Sequence, residues 1–202
     1  MERFYSAMRK ILAIPLLKTV IRGEFYGLHN IPQDKGFILC CNHVSMTDPV
    51  LLVAKIKNQI YFMSKKEAFK FPVLGPIIKR MGAIDVDREA NDKTAVVRSI
   101  EVVKKGGILG IFPEGTRNKE PGTPPKKAKA GAAFIALQTK ADILPVAIYR
   151  KNKFRIFSKA KVNFGQPIKF EDLPNSSNLK RDMVNTTHLI MDKITQLWEE
   201  MK

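Results

Sequence analysis

Asn42-His43-Val44-Ser45-Met46-Thr47-Asp48-Pro49 stands where one apolar run stops and a helix-forming run begins. The run before it, Gly36-Phe37-Ile38-Leu39-Cys40-Cys41, has the length and content of a buried strand. Asp48-Pro49 reads as a helix start, with Asp at the N-cap and Pro at the first helical position, and the helix is predicted to run on to Ile56. On a single helix His43 and Asp48 would face different ways, because each residue turns the side chain by roughly 100°. A turn from a strand end into a helix mouth brings them together instead. There a carboxylate fixes the tautomer of an imidazole and stabilises its protonated form, as a general base requires. Taken alone, the stretch reads equally well as a helix cap beside a turn histidine.

Working outward, the same strand-to-loop pattern recurs. Gly107-Ile108-Leu109-Gly110 leads into Ile111-Phe112-Pro113-Glu114-Gly115-Thr116-Arg117-Asn118. Pro113 stops sheet pairing, and Gly115 lets backbone approach a ligand closely. Thr116 offers a hydroxyl and Arg117 a bidentate fork for phosphate, while Glu114 could accept a hydrogen bond from a substrate hydroxyl or hold a cation. Lys65 follows the strand-like Gln59-Ile60-Tyr61-Phe62-Met63, and Arg88 follows Gly82-Ala83-Ile84-Asp85-Val86-Asp87, so both cations stand at strand exits. A solvated Lys65-Lys66 pair and a surface ion pair of Arg88 with Asp87 or Glu89 are the structural alternatives. Asp85 is unexpected inside a fully buried strand.

These stretches together resemble the glycerolipid acyltransferases. Asn42, His43 and Asp48 match the H-x4-D motif of that family, and Phe112 to Arg117 match its F-P-E-G-T-R motif. Gly82 to Arg88 resembles its intermediate motif, and Leu144-Pro145-Val146-Ala147-Ile148 resembles its closing Pro-containing strand. The motifs occur in the family's order over residues 30–150, and the layout looks most like the bacterial 1-acyl-glycerol-3-phosphate acyltransferases. The resemblance implies transfer of a fatty acyl group from a thioester of acyl carrier protein or coenzyme A to the sn-2 hydroxyl of 1-acylglycerol 3-phosphate, giving phosphatidic acid. It implies His43 and Asp48 as the catalytic pair and Lys65, Arg88, Glu114, Gly115, Thr116 and Arg117 as substrate-binding residues. No metal and no organic cofactor is expected. Glycerol 3-phosphate or another lysophospholipid is the alternative acceptor.

Composition sets the frame for these motifs. The chain of 202 residues, 45% hydrophobic, suits one domain with a sizeable core. Its cysteines, Cys40 and Cys41, are adjacent in an apolar run, with no spacing for zinc or a redox pair. Lys and Arg total 35 against 19 Asp and Glu, a formal charge of +16 that calls for an anionic partner. An anionic membrane surface, a phosphorylated substrate and acidic acyl carrier protein all qualify; nucleic acid also would, but is not expected, because it leaves the ordered motifs unexplained.

Residues 1–22 intersperse Phe4, Tyr5, Met8, Ile11, Leu12, Ile14, Leu16, Leu17, Val20 and Ile21 with Arg3, Arg9, Lys10, Lys18 and Arg22. The uncharged run Ile11 to Leu17 falls far short of the ~20 residues a membrane-spanning helix needs. It also lacks the features of a cleaved signal peptide. An amphipathic helix in the membrane interface is the reading, an ordinary packed helix the alternative, with the catalytic domain over 23–202. The expected location is the cytoplasmic face of the cell membrane, monotopic or peripheral.

The remaining chain alternates. A strand is predicted over 24–31, a helix over 74–81, a packing helix over 91–105, a loop over 118–129, a helix over 130–140 and a strand over 143–149. Pro145 suggests an irregular or edge position for that last strand. Basic and aromatic residues from Arg150 to Lys161 suggest a lipid, acyl-carrier or nucleic-acid surface, or a solvated hairpin. A strand over 162–168 and an amphipathic helix from Leu179 to Met201 complete the chain. The expected fold class is α/β, a layered, mixed and mostly parallel sheet flanked by helices. Two other functions fit parts of the sequence. Ser45 beside His43 would make a hydrolase nucleophile, although no G-x-S-x-G elbow surrounds it, and the charge alone fits a non-catalytic basic membrane- or nucleic-acid-binding module.

Overall fold

The apolar runs that end at the motifs form strands in one sheet, laid side by side so that their exits share one end. A computed structural model describes residues 2–33, 35–87, 92–120, 122–152 and 159–202. The strands are β1 (Arg22–Tyr26), β2 (Ile38–Cys41), β3 (Ile60–Lys65), β4 (Ile84–Val86), β5 (Ile108–Ile111), β6 (Ile143–Tyr149) and β7 (Lys159–Phe164). Their order across the sheet is β1-β7-β6-β2-β5-β3-β4. Pairing is parallel from β6 through β4; β7 runs antiparallel to β6, and β1 runs parallel to β7. The sheet is therefore mixed and mostly parallel, as expected.

Helices cover both faces. On one side lie α1 (Glu2–Met8), a π-helical turn (Arg9–Ala13), α2 (Ile14–Thr19) and α3 (Asp48–Lys55), with α4 (Leu74–Arg80) after the exit of β3. The core there includes Tyr5, Phe37, Leu39, Leu51, Leu52, Val146 and Phe164. On the other side lie α5 (Lys93–Lys104), α6 (Gly131–Thr139) and α7 (Leu179–Glu199), packed around Ile38, Leu109, Ile135, Ile143, Ile190 and Trp198. Central strands are buried on both faces, which is why β2, β5 and β6 read as continuous apolar runs.

Several boundaries differ from expectation. β1 stops at Tyr26, because Gly27 turns left-handed at φ 65 into a short 3₁₀ segment, Leu28–Asn30. β7 occupies 159–164 and not 162–168; Ile168 keeps only an isolated bridge to Ile143. Pro145 lies in an interior strand, not at an edge. Its carbonyl accepts the Gly165 N–H at 2.9 Å, just past the last β6–β7 pair, Val146↔Phe164. A residue's N–H and C=O point to the same side of a strand, so the donor that proline lacks falls where β7 leaves the sheet. Asp85 is accommodated because β4 is an edge strand, where its carboxylate pairs with Arg98 at 2.8 Å.

The N-terminal helical segment is joined to the core. The Tyr5 side chain is buried and its hydroxyl donates to the Ile56 carbonyl at 3.3 Å, while Arg9 donates to the Ala54 carbonyl at 3.2 Å, both at the C-terminal end of α3. The opposite side stays open, with Ile11 74% and Leu12 47% exposed. No helix among the described residues is long and apolar enough to cross a membrane.

Candidate active site

His43 leaves β2 two residues past its last member, and the chain then turns back on itself before α3. The turn closes on the Asp48 carboxylate. Its Oδ2 accepts the Val44 and Ser45 N–H groups, each at 2.7 Å, and meets His43 Nδ1 at 2.8 Å. With a carboxylate acceptor at that distance Nδ1 carries the hydrogen, so the neutral form of the ring has its lone pair on Nε2. The N-cap of α3 is Thr47, not Asp48. Asp48 is the first helical residue, and its carboxylate points back into the turn because three donors converge there. Asp48 is fully buried, whereas the His43 side chain keeps 18% of its surface open.

The second motif holds the first in place. Glu114 Oε1 accepts the His43 N–H at 2.8 Å, and the His43 carbonyl accepts the Asn118 N–H at 2.7 Å. The imidazole stacks on Phe112 with centroids 4.0 Å apart and planes at 19°. Phe112 in turn stacks on Phe62 at 5.8 Å. Phe62 lies flat on β5 because residue 110 is glycine; a Cβ there would come within 2.5 Å of the ring. The base is thus clamped by its backbone on two sides and its ring is backed by two aromatic layers.

Glu114 is 5% exposed, and its second oxygen accepts the Lys126 N–H at 3.0 Å. Burial pushes its carboxyl pKa up, against the opposing pull of the His43 and Lys126 N–H groups. Both oxygens are engaged by backbone, so the side chain ties the two motifs and the 118–129 loop together. Gly115 has φ +68, a conformation other residues adopt only with strain, and the Lys129 side chain lies against it. Thr116 and Arg117 are exposed on the same turn, and Lys65 is exposed at the exit of β3, at the same end of the sheet. Arg88 lies outside the described residues. The structure brings His43, Asp48 and Glu114 into contact and sets Gly115, Thr116 and Arg117 beside them; Lys65 shares their end of the sheet.

Other residues complete the site. Asn42 extends the ladder with its side chain, donating to the Ile148 carbonyl at 2.9 Å and accepting its N–H at 2.7 Å. Asn118 accepts the Glu120 N–H and donates to Thr123 and Pro124, folding the loop onto the motif. Arg150, part of a run that reads as basic surface, is only 3% exposed and lies behind the dyad. The available signal was its position, directly after an unbroken apolar strand that exits at the motif end. Ser45 is 7% exposed, and its hydroxyl pairs with that of Thr47 at 3.0 Å. Cys40 and Cys41 are buried free thiols; burial pushes Cys40 up to about 12 and Cys41 well above its ordinary value. Both stay neutral, without the depressed pKa of a reactive thiol. Among the described residues no group of His, Cys, Asp and Glu is placed to hold a metal ion.

Comparison with known proteins places this arrangement. The family model described as Acyltransferase matches residues 22–149, from the start of β1 to the end of β6. The 1-acyl-sn-glycerol-3-phosphate acyltransferase of Bacillus subtilis is 35% identical over 168 residues, covering 79% of this chain and 82% of that protein. The enzyme of the same name from Borreliella burgdorferi is 30% identical over 203 residues, covering 98% of this chain and 80% of its own. The crystal structure of the 1-acyl-sn-glycerophosphate acyltransferase from Thermotoga maritima superposes with a TM-score of 0.75 over 99% of this chain and 79% of that one, at 24% identity, a likeness of fold. With its dyad and Glu114 clamp inside the matched span, the chain belongs to the acyltransferase family.

Proposed function

We propose that the protein transfers a fatty acyl group from an acyl thioester to the 2-hydroxyl of 1-acylglycerol 3-phosphate, forming phosphatidic acid. The observation that carries this reading is the 2.8 Å contact between His43 Nδ1 and a buried Asp48, at the strand exits where Arg117 and Lys65 are also exposed. The names of the relatives supply the substrate. His43 Nε2 takes the hydroxyl proton as the acceptor oxygen attacks the thioester carbonyl. The tetrahedral intermediate then collapses, the C–S bond breaks, and the imidazolium returns its proton to the leaving sulfur. Asp48 holds the ring and balances its transient charge. The acceptor hydroxyl is itself the nucleophile, so no acyl-enzyme is required and Ser45 is given no nucleophilic role, which full activity in Ser45→Ala checks. No metal or organic cofactor enters the proposed reaction.

Arg117, with Arg88 and Lys65, is proposed to hold the acceptor phosphate. The donor is acyl carrier protein or coenzyme A, and the charge of +16 suits either anion. The proposed working position is the cytoplasmic face of the cell membrane, a reading supported by exposed Ile11 and Leu12 beside exposed Lys10. The test is phosphatidic acid formation by wild type and His43→Ala with both thioester donors. Removal of the base lowers kcat by ~10²–10⁴ while circular dichroism stays unchanged. Near-normal turnover by a folded His43→Ala protein overturns the assignment. Arg117→Ala raises the acceptor KM more than the donor KM; an unchanged acceptor KM removes Arg117 from the phosphate site.

A further inference from the structure

Asp48 spends one oxygen on three donors, and the other, Oδ1, is buried without a hydrogen bond. The group facing it is a cation. Arg150 Nε lies 3.9 Å from Oδ1, and its Nη2 donates to Thr47 Oγ1 at 3.0 Å. Both side chains are withdrawn from water, Asp48 completely and Arg150 to 2% of its exposed surface. Arg150 follows β6, which pairs directly with β2, and Thr47 caps α3, so the guanidinium joins the exit of the neighbouring strand to the turn that carries the base.

We propose that Arg150 is a positioning residue for the catalytic pair: its charge holds Asp48 ionised while His43 is still neutral, and its hydrogen bond to Thr47 fixes the Thr47–Asp48 turn. The proposal rests on the general-base reading of His43. In the resting site the carboxylate and guanidinium sum to zero charge, so the imidazole is not forced to carry a proton as the carboxylate's counter-charge. After proton transfer the triad is positive, and the guanidinium repels the imidazolium, which favours return of the proton to the departing sulfur. Among the described residues, two other titratable groups near the pair are held in place or neutral. Glu114, from the exit of β5, is engaged by the His43 and Lys126 N–H groups, and Cys41, on β2, remains a neutral thiol. Burial draws the Arg150 pKa down and Asp48 draws it back, leaving a guanidinium that stays charged across the working range.

The experiment compares Arg150→Met and Arg150→Lys with wild type in steady-state acyl transfer from pH 5 to 9, with unfolding curves on each. In Arg150→Met kcat falls about 10- to 100-fold, at most the lower end of the ~10²–10⁴ that general-base catalysis supplies, because the base itself remains. Both KM values hold within about twofold, and the acid limb of the pH profile moves to higher pH, because Asp48 now draws a proton onto the pair. In Arg150→Lys the point charge survives without the guanidinium bond to Thr47, so the acid limb stays near that of wild type and part of kcat returns. A folded Arg150→Met with wild-type kcat and profile overturns the proposal, as does an Arg150→Lys as impaired and as shifted as the methionine variant. If Arg150→Met does not fold, Arg150→Lys alone decides, since a shifted acid limb with the charge retained contradicts the role assigned to that charge. Imidazole NMR titration of His43 in the resting proteins separates the proposal from the reaction. If wild type transfers no acyl group the reaction reading fails, and an imidazole titration unchanged by Arg150→Met still overturns the Arg150 role.

Discussion

Asp48 Oδ2 gathers the imidazole and the N–H groups of Val44 and Ser45, so any replacement must satisfy those donors as well as lose the charge. An amide oxygen accepts the same three bonds, but its NH2 replaces Oδ1 and faces the Arg150 guanidinium, so Asp48→Asn keeps the turn and folds with reduced stability. It no longer stabilises the imidazolium, and kcat drops by ~10²–10⁴. Stopped-time assays beside a thermal melt check both halves of that expectation. Glu114→Gln is the contrasting case. A carboxamide presents one oxygen and one NH2, and the backbone donors of His43 and Lys126 each need an acceptor. One buried N–H is left facing another donor, a loss of about 1–3 kcal/mol in urea unfolding, with activity falling as the His43 backbone shifts.

At the scale of elements, packing decides where the site stands. Gly110→Ala places a methyl where the Phe62 ring lies, which moves Phe62 away from Phe112 and loosens the layer behind His43. Overpacking of this kind costs about 1–3 kcal/mol and lowers kcat without touching the reacting groups, measurable as a parallel fall in melting temperature and turnover. At the other end of the sheet, Asp142 ties the start of β6 to its surroundings through Lys35 at 2.9 Å, Lys169 at 3.1 Å and the Phe170 N–H at 3.1 Å. Burial pushes its carboxyl pKa up, but the bonds from Lys35, Phe170 and Lys169 prevail and hold it below the ordinary value. A depressed carboxyl stabilises the fold above its unfolded pKa, and that contribution is lost as pH falls through the folded one. Both lysines are more than half exposed, so Asp142→Asn costs about 1–2 kcal/mol at pH 7. The gap from wild type closes below about pH 4 in urea titrations.

Elements are legible in the sequence where an apolar run and its punctuation agree. β2, β3, β5 and β6 ended near where the motifs begin, and Asp48-Pro49 marked the start of α3 within a residue. They are hidden where a distant partner overrules a residue's local meaning. Asp48 has the chemistry of an N-cap, but donors from the preceding turn claim its carboxylate. Pro145 signals an edge, but its missing donor faces the point where β7 departs. Arg150 sits in a basic run, and only its partner on the neighbouring turn, Asp48, shows that it is inside. Glu114 was legible as part of the site and illegible in its partners, because nothing in sequence says that His43 and Lys126 will offer their N–H groups.

Taken as a whole, the molecule carries +16 on a frame whose N-terminal helices leave Ile11 and Leu12 uncovered. Changing both to serine leaves the melting temperature nearly unchanged, since neither is in the core, and weakens co-sedimentation with anionic vesicles about tenfold or more, given ~1.5–3 kcal/mol for each fully buried large aliphatic side chain. Added salt weakens binding of both proteins, because the charge contribution is screened. Undiminished vesicle binding by the double variant would move the contact elsewhere on the surface.

The place of β1 has a consequence for how the protein is made. It leaves the ribosome first among the strands, yet its partner is β7, with Arg22 opposite Lys159. Until residues 159–164 are synthesised, the first strand has no neighbour and the sheet cannot be completed. The amphipathic helices before it emerge earlier still, with Tyr5 and Ala13 waiting for α3 and the sheet behind it to bury them. Pairing the two ends of a chain is the slow part of folding, since the intervening loop must close before any contact rewards it. For much of translation, then, this apolar and basic segment stays exposed, and whatever surface meets it first competes with the protein's own core.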